Sequence, residues 1–218
     1  MLYEIAHILR DRMPWLWDMV ERLNAMLFQM RYGKRVRSVE ANVCGDGQER
    51  RGYKVVPIRN METDSLVKFF ARQPQEAFRF FKPHPFDAKT MRKLQTNRAF
   101  LAYALIDNAT GRMAGYCFNR SFFHGKGFRG RMVDINYRGR GLGTMMNRLL
   151  NEVGFGIGLR LFETVSKDNV ASFRSAVSAS RIKVVETLPH NELFLEIIND
   201  MKLDNRPDIN LLGGVKRK

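Results

Sequence analysis

Apolar residues recur at helical spacing near the start of the chain. Residues 1–31 are predicted to form a helix that breaks or restarts near Pro14, because proline is tolerated where a helical segment begins. Steps of three and four residues predict one apolar stripe, formed by Met13, Leu16, Trp17, Val20, Leu23 and Leu27. The basic residues from Arg31 to Arg37 and the glycines between positions 45 and 52 then predict an irregular basic linker.

From Tyr53 onward the pattern changes to alternating strands and helices. Runs rich in β-branched and aromatic residues predict strands at 53–58, 100–106, 113–118, 130–136, 159–165, 182–188 and 193–198. Helices are predicted at 144–153 and 169–180, and two shorter ones begin at caps provided by Thr63 or Asp64 and by Asp87. This order predicts a mixed α/β or α+β sandwich with helices on both faces of one sheet.

The same patterns predict how the chain is divided. Residues 1–50 are expected to be an amphipathic helical extension with its linker, 51–200 one α/β domain, and 201–218 a tail. The N-terminal helix, followed by Arg31 to Arg37, is suited to an anionic membrane surface. Packing on the domain or on a second subunit is the favoured alternative, since amphipathic helices mostly bury against protein.

The charge balance narrows the class of partner. The 218 residues carry a net charge of +15, which favours nucleic acid, a phosphate-rich cofactor, a nucleotide-linked substrate or an acidic membrane face. Nucleic acid ranks low, because the basic residues are spread along the chain without the signature of an RNA-binding module. With only Cys44 and Cys117, neither a disulfide framework nor a zinc site is expected. Two reduced thiols, and no transmembrane or signal segment, favour a cytoplasmic protein.

A glycine-rich loop, Arg138-Gly139-Arg140-Gly141-Leu142-Gly143, connects a predicted strand to a predicted helix. Glycines allow backbone N–H groups to point at one centre, and the following helix adds the positive end of its dipole. A pyrophosphate fits such a loop, and a tight strand-to-helix connection is the plain alternative. The loop comes too late in the chain for a dinucleotide-binding fold and lacks the G-K-S/T of a P-loop.

The segment from Met132 to Gly143 resembles the acetyl-CoA signature of the GNAT superfamily of N-acetyltransferases, R/Q-x-x-G-x-G/A, at Arg138, Gly141 and Gly143. The resemblance spans roughly residues 53–198. It implies that the backbone at Met132 and Val133 pairs with the pantetheine arm of acetyl-CoA. The residues that it assigns to the pyrophosphate are Arg138, Gly139, Arg140, Gly141, Leu142, Gly143 and Thr144.

A second match lies downstream. Asn169-Val170-Ala171-Ser172 fits the family pattern N-x-x-A/S, which implies that Asn169 and Ser172 also contact the cofactor. Many family members carry, seven residues after this Asn, a Tyr that protonates the leaving thiolate, but here that position is Ala176. Ser175 or a water is the expected substitute, unless positioning alone supplies the rate acceleration. A protein that binds CoA without catalysis is the alternative.

Two histidines are candidates for the base that takes the proton of the amine, since imidazole titrates near neutral pH. His84 lies in the sequence Lys-Pro-His-Pro-Phe-Asp between the two early helices, where GNAT proteins form their acceptor site. His124 precedes the fourth strand. The aromatic residues around His84 are expected to pack in the core rather than stack on a ring-shaped ligand, namely Phe78, Phe80, Phe81 and Phe86.

The resemblance implies an amine as acceptor, on a small molecule or a protein. The loop around His84 and the Ser172–Ser175 helix are similar to GNAT proteins encoded with bacterial surface-polysaccharide enzymes. This implies an amino group on a nucleotide-linked sugar, whose diphosphate suits a basic protein. A protein N-terminus, a lysine or a small polyamine is the alternative, although a chain of charge +15 repels polycations.

Overall fold

The computed structural model describes residues 14–45 and 47–199, so Met13 and the predicted tail 201–218 lie outside the described residues. The α-helices in this part are α1 (Pro14–Cys44), α2 (Thr63–Ala71), α3 (Ala88–Thr96), α4 (Leu142–Gly156) and α5 (Val170–Val177). The strands are β1 (Tyr53–Pro57), β2 (Phe100–Asp107), β3 (Met113–Ser121), β4 (Lys126–Val133), β5 (Arg160–Ser166), β6 (Ile182–Leu188) and β7 (Glu192–Ile197). Single 3-10 turns occupy Ile58–Asn60, Gln75–Phe78 and Ile135–Tyr137.

The strands form one sheet in the order β1-β2-β3-β4-β5-β7-β6. Every pairing is antiparallel except that of β4 with β5, which is parallel. Helices α1 and α4 pack on one face of the sheet, and α2 and α3 pack on the other. The predicted class is confirmed: a mixed, largely antiparallel sheet with helices on both faces.

Helix α1 departs from the sequence prediction in length and in its buried face. It continues through the predicted linker from Arg31 to Arg37 and ends at Cys44. Its buried apolar side chains belong to the core beside α4 and are Phe28, Tyr32, Val36 and Val43. Val20 and Leu23, predicted to lie inward, are 47% and 51% exposed. The predicted stripe was wrong at these two positions because the first half of α1 is held mainly by polar contacts, such as Asn24 with the Ser121 carbonyl and Asp18 with Lys93. The apolar contact with the sheet and α4 lies farther along the helix and decides which side chains are buried there.

The helix α1 is also the longest in the described part of the chain. Charged residues interrupt it throughout, and across residues 14–45 and 47–199 no helix has the length and apolar run needed to cross a bilayer.

Two predicted boundaries are corrected by local hydrogen bonds. Helix α2 begins at Thr63 with Glu62 as its N-cap residue and no side-chain cap, whereas Asp87 caps α3 as predicted by accepting from the Thr90 N–H at 2.9 Å. Strand β4 begins earlier than predicted and ends at Val133. It does not run directly into the glycine-rich loop, because the Asp134 side chain and carbonyl accept from the following N–H groups and close a 3-10 turn.

Candidate active site

The only parallel pair of the described sheet, β4 and β5, separates after a short contact. Their paired register covers three positions, from Lys126–Arg160 to Phe128–Phe162. Beyond Phe128 and Phe162 the two strands no longer share a ladder. Because parallel strands end at the same edge of a sheet, the helices that follow them, α4 and α5, both begin beside this opening. A Cβ atom on Gly143 of α4 would lie only 3.4 Å from the Ser175 Cβ of α5, which shows how closely the two helices approach.

The entry to the glycine-rich loop is fixed by Asp134, which is fully buried. One carboxylate oxygen accepts from Arg72 Nε at 2.8 Å and from Gln73 Nε2 at 2.9 Å, so the loop is tied to the end of α2. Burial alone would raise the pKa of Asp134, but the N–H of Asn136, Gln73 and Arg72 together hold that pKa below its usual range. The carboxylate therefore stays charged and keeps the loop in place.

The predicted loop cations lie at the surface. Arg138 and Arg140 are both exposed. The Arg140 guanidinium lies 4.9 Å from the centre of the Tyr137 ring and donates to the Asn136 carbonyl at 3.2 Å. Tyr137 is itself held by a hydrogen bond from its hydroxyl to Asp107 at 2.8 Å. Arg140 is thus held beside the loop by these two contacts.

Two glycines of the loop have a backbone conformation that other residues adopt at a cost. Gly139 and Gly141 both have φ of +77°. Gly141 is the N-cap residue of α4, and the first helical hydrogen bond after it runs from the Met145 N–H to the Gly141 carbonyl at 3.1 Å. The N–H groups of Leu142, Gly143 and Thr144 belong to the first turn, which has no carbonyl partners of its own. They are the donors that a bound anion would use.

A third cation near the loop was missed in the sequence. Arg51, in the turn before β1, places its Nη1 atom 3.6 Å from where a Cβ of Gly141 would be. Its φ of +53° is unusual for a residue with a side chain. Nothing in the sequence near Arg51 marks it, because only the pairing of β1 with β2 brings this turn toward the loop.

Asn169 lies at the start of α5, where its side-chain oxygen accepts from the Ser172 N–H at 3.1 Å. The observed role of that oxygen is therefore to cap the helix. The Ser172 and Ser175 side chains are half-buried and turn toward β4. Ala176, which stands where the family resemblance expects a Tyr, is completely buried.

A buried ionic group between the diverging strands was also not predicted from the sequence. Arg129 and Arg131 of β4 and Glu163 of β5 form it, and we call these three residues the arginine cluster. Glu163 Oε2 accepts from Arg129 Nε at 2.7 Å and from Arg131 Nη1 at 3.1 Å. Arg129 also donates to the Asn151 side chain of α4. The available signal was the pair of arginines two positions apart, on one face of a strand otherwise suited to burial.

His84 lies on the opposite face of the sheet, in an aromatic cluster between α2 and α3. Its Nδ1–H donates to the Pro85 carbonyl at 2.8 Å, so the bare Nε2 accepts from the Tyr116 hydroxyl at 3.2 Å. Burial lowers the pKa of His84 to about 4. The neighbouring Phe78, Phe81 and Phe86 pack against the core, and Phe80 is 42% exposed.

His124 is exposed and stacks on Phe122 in the turn before β4. This turn is at the opposite end of β4 from the glycine-rich loop, about 25 Å away along an extended strand of eight residues. The structure therefore does not bring His84, His124 and the loop together at one point.

Comparison with known proteins gives matches among solved structures. No family model matches the chain, and no curated protein matches it. The GNAT domain of S. lividans PAT is 15% identical with a TM-score of 0.58, covering 66% of this chain and 89% of that domain. A chimera of the spermidine N-acetyltransferase SpeG from Vibrio cholerae and hSSAT is 16% identical with a TM-score of 0.57, covering 71% and 99%.

Two further structures show the same arrangement. A putative GNAT-family acetyltransferase from Bordetella pertussis is 17% identical with a TM-score of 0.56, and the match covers 69% of this chain and 98% of that one. The ribosomal-protein-S5-alanine acetyltransferase from Vibrio fischeri is 13% identical with a TM-score of 0.54, covering 70% and 96%. At these identities the likeness concerns the fold. The chain therefore has the fold of the GNAT acetyltransferases.

Proposed function

We propose that the chain binds acetyl-CoA at the opening between β4 and β5 and transfers its acetyl group to a primary amine. One observation carries this proposal: the parallel pair separates after three positions, and the first turns of α4 and α5 flank the gap. A diverging parallel pair offers free backbone groups to an extended ligand, and helix N-termini favour negative charge.

The residues present suit the two ends of acetyl-CoA. For the pyrophosphate, the proposal assigns the N–H groups from Gly139 to Thr144, with the exposed cations Arg138, Arg140 and Arg51 around them. For the pantetheine arm it assigns the backbone at Met132 and Val133, at the end of β4. Asn169 and Ser172, at the start of α5, stay as predicted contacts.

For the acceptor, an amino group on a nucleotide-linked sugar is our first candidate. Its support is the sequence resemblance and the net charge of +15, which favours a substrate that carries a diphosphate. Two structural neighbours are named for spermidine and for an alanine of ribosomal protein S5. Spermidine suits this chain less well, because a polycation is repelled by a strongly basic protein.

The proton of the amine needs a destination. His84 stays a predicted base. Burial lowers its pKa to about 4, so its imidazole is a weak base at neutral pH. If His84 is the base, the rate of turnover falls as the pH drops toward 4 rather than toward 6.5. Replacing His84 and His124 by Gln, one at a time, shows whether either residue gives the pH dependence of turnover.

The test is turnover with a panel of amines. The purified chain is mixed with acetyl-CoA and, separately, a nucleotide-linked amino sugar, spermidine, lysine and a peptide with a free N-terminus. Free thiol and acetylated product are then measured together. The proposal predicts acceptor-dependent thiol release with one class of amine. Binding of acetyl-CoA without thiol release above the acceptor-free rate for every amine class would identify a non-catalytic CoA-binding protein instead.

A further inference from the structure

The arginine cluster holds two positive charges against one negative charge. Among the described residues, Glu163 is the only carboxylate that forms an ion pair with either Arg129 or Arg131. The side chains are 0% (Arg129), 8% (Arg131) and 2% (Glu163) exposed. Burial lowers the pKa of Arg131, but Glu163 offsets part of that effect, and a guanidinium stays charged at any physiological pH. The cluster therefore carries one excess positive charge inside the protein.

Excess charge in the interior is costly unless something compensates it. The hydrogen bonds within the cluster do not compensate this excess charge fully, because they leave some polar atoms without partners. Arg129 Nη2 and Glu163 Oε1 are buried and have no hydrogen-bond partner among the described residues, and the same holds for the side-chain oxygen of Asn147 on α4. Arg129 Nη2 is thus a donor without an acceptor in a buried group of net positive charge, an arrangement that favours an anion nearby.

The cluster lies on the side of the opening where α4 and α5 begin. Arg131 Nη2 is 2.8 Å from the Ser175 hydroxyl and 2.8 Å from the Ser172 carbonyl, so it joins β4 to α5. The Ser175 hydroxyl in turn is 3.5 Å from the position of a Cβ on Gly143, in the first turn of α4. The excess charge and the positive ends of both helices thus act on the same region.

We propose that the arginine cluster stabilises the negative charge of the thiolate that leaves during acetyl transfer, with Arg131 and the Ser175 hydroxyl nearest to it. This inference rests on the proposed function and assigns the step for which Ala176 offers no acidic side chain. The amine nitrogen forms a bond to the acetyl carbon, and the C–S bond breaks with its electron pair on sulfur. The amine proton passes to a base or to solvent. The sulfur leaves as thiolate, without a proton donor, and is protonated by solvent afterwards.

Ser175 contributes through its orientation. Its hydroxyl accepts from Arg131 and donates to the Ser172 carbonyl at 2.9 Å. A hydroxyl whose oxygen already accepts from a guanidinium is a stronger donor, and a small rotation redirects its hydrogen to a neighbouring anion. Ser175 is therefore a hydrogen-bond donor to sulfur and need not give up its proton.

The test is the pKa of the thiol of bound, unacetylated CoA. It is measured from the ultraviolet absorbance of the thiolate as the pH is raised. A positive charge within a few ångströms lowers the pKa of an acidic group by about 1–3 units. We expect the thiol of CoA bound to the wild-type protein to titrate about 1–3 units below that of free CoA. This wild-type measurement requires no variant, and it reads the charge at sulfur rather than the rate.

Variants assign the effect to the cluster. Arg131→Met is expected to return the thiol to the pKa of free CoA to within about half a unit, and Arg131→Lys, which keeps the charge, to retain most of the shift. The matched control is Arg148→Met, because Arg148 lies on α4 facing α5 but is exposed. Arg148→Met removes the same net charge and should leave the shift unchanged.

The outcomes distinguish this inference from the proposed function. If CoA does not bind the wild-type protein, the proposed function fails and this inference fails with it. If CoA binds but its thiol titrates as in free CoA, the inference alone is overturned. It is overturned equally if Arg131→Met and Arg148→Met give the same thiol pKa as the wild type.

Discussion

At the scale of single residues, His84 links burial to pH. The aromatic cluster around it lowers its pKa from 6.5 to about 4. Between these two values the unfolded chain binds a proton that the folded chain excludes, so stability is complete above pH 6.5 and decreases as the pH falls toward 4. Melting temperature against pH should therefore be less steep over this window for His84→Gln than for the wild type. The exposed His124→Gln should keep the wild-type slope, and equal slopes for all three proteins would contradict the assignment.

A substitution at Gly143 is expected to change ligand affinity without lowering the stability of the protein. Its backbone is helical, and an added Cβ would make ordinary contacts of 3.4 and 3.5 Å with Ser175. Gly143→Ala should therefore leave the unliganded protein as stable as the wild type or more stable by up to about 1 kcal/mol. If a pyrophosphate approaches the N–H groups of this turn, the same methyl group blocks it. Calorimetric titration should then show an affinity for acetyl-CoA at least about tenfold weaker, or about 1.4 kcal/mol.

The neighbouring glycine provides the contrast. Gly139 has open space around it but a φ of +77°. Gly139→Ala should lower the free energy of unfolding by about 1–2 kcal/mol even without ligand, because a Cβ strains this conformation.

For Gly143→Ala, an unchanged affinity for acetyl-CoA together with unchanged stability would show that the first turn of α4 does not hold the ligand.

At the scale of elements, α1 tests whether the first 40 residues are separable. Phe28 and Val36 are buried in the core, and burial of such side chains contributes about 1.5–3 kcal/mol each. Deleting residues 1–40 should therefore cost at least about 3–6 kcal/mol and lead to aggregation or a much lower melting temperature. A shorter deletion of residues 1–20 removes Trp15 and Val20, which are exposed. This shorter deletion should keep most of the stability. If the protein without residues 1–40 were as stable as the full chain, the prediction that α1 is part of the core would be wrong.

The same element shows what the sequence predicts and where it fails. The first residues of β2 and β3, Phe100 and Met113, were predicted correctly, because runs of apolar and aromatic residues flank clear turn residues. The inward face of α1 was not, since several of its faces carry apolar residues. The choice of Phe28, Tyr32 and Val36 depends on the sheet that α1 meets, which periodicity within one helix does not reveal.

At the scale of the whole molecule, the candidate site is assembled from segments distant in sequence. The glycine-rich loop was predicted because its residues are adjacent and their backbone chemistry is local. Arg51 and the ion pair of Arg131 with Glu163 were not, because they meet only through strand pairing across the sheet. Local patterns therefore locate a phosphate-binding turn, while the groups that surround it follow from the topology.

The central claim, that this fold binds acetyl-CoA, is tested most directly by the melting temperature of the full chain with increasing acetyl-CoA, compared with ATP and NAD at equal concentrations. A ligand that binds only the folded state adds about 2.7 kcal/mol of stability at a concentration of 100 times its Kd. We predict a saturating rise with acetyl-CoA that exceeds the rise with either of the other nucleotides. No rise with acetyl-CoA, or equal rises with all three ligands, would contradict the claim.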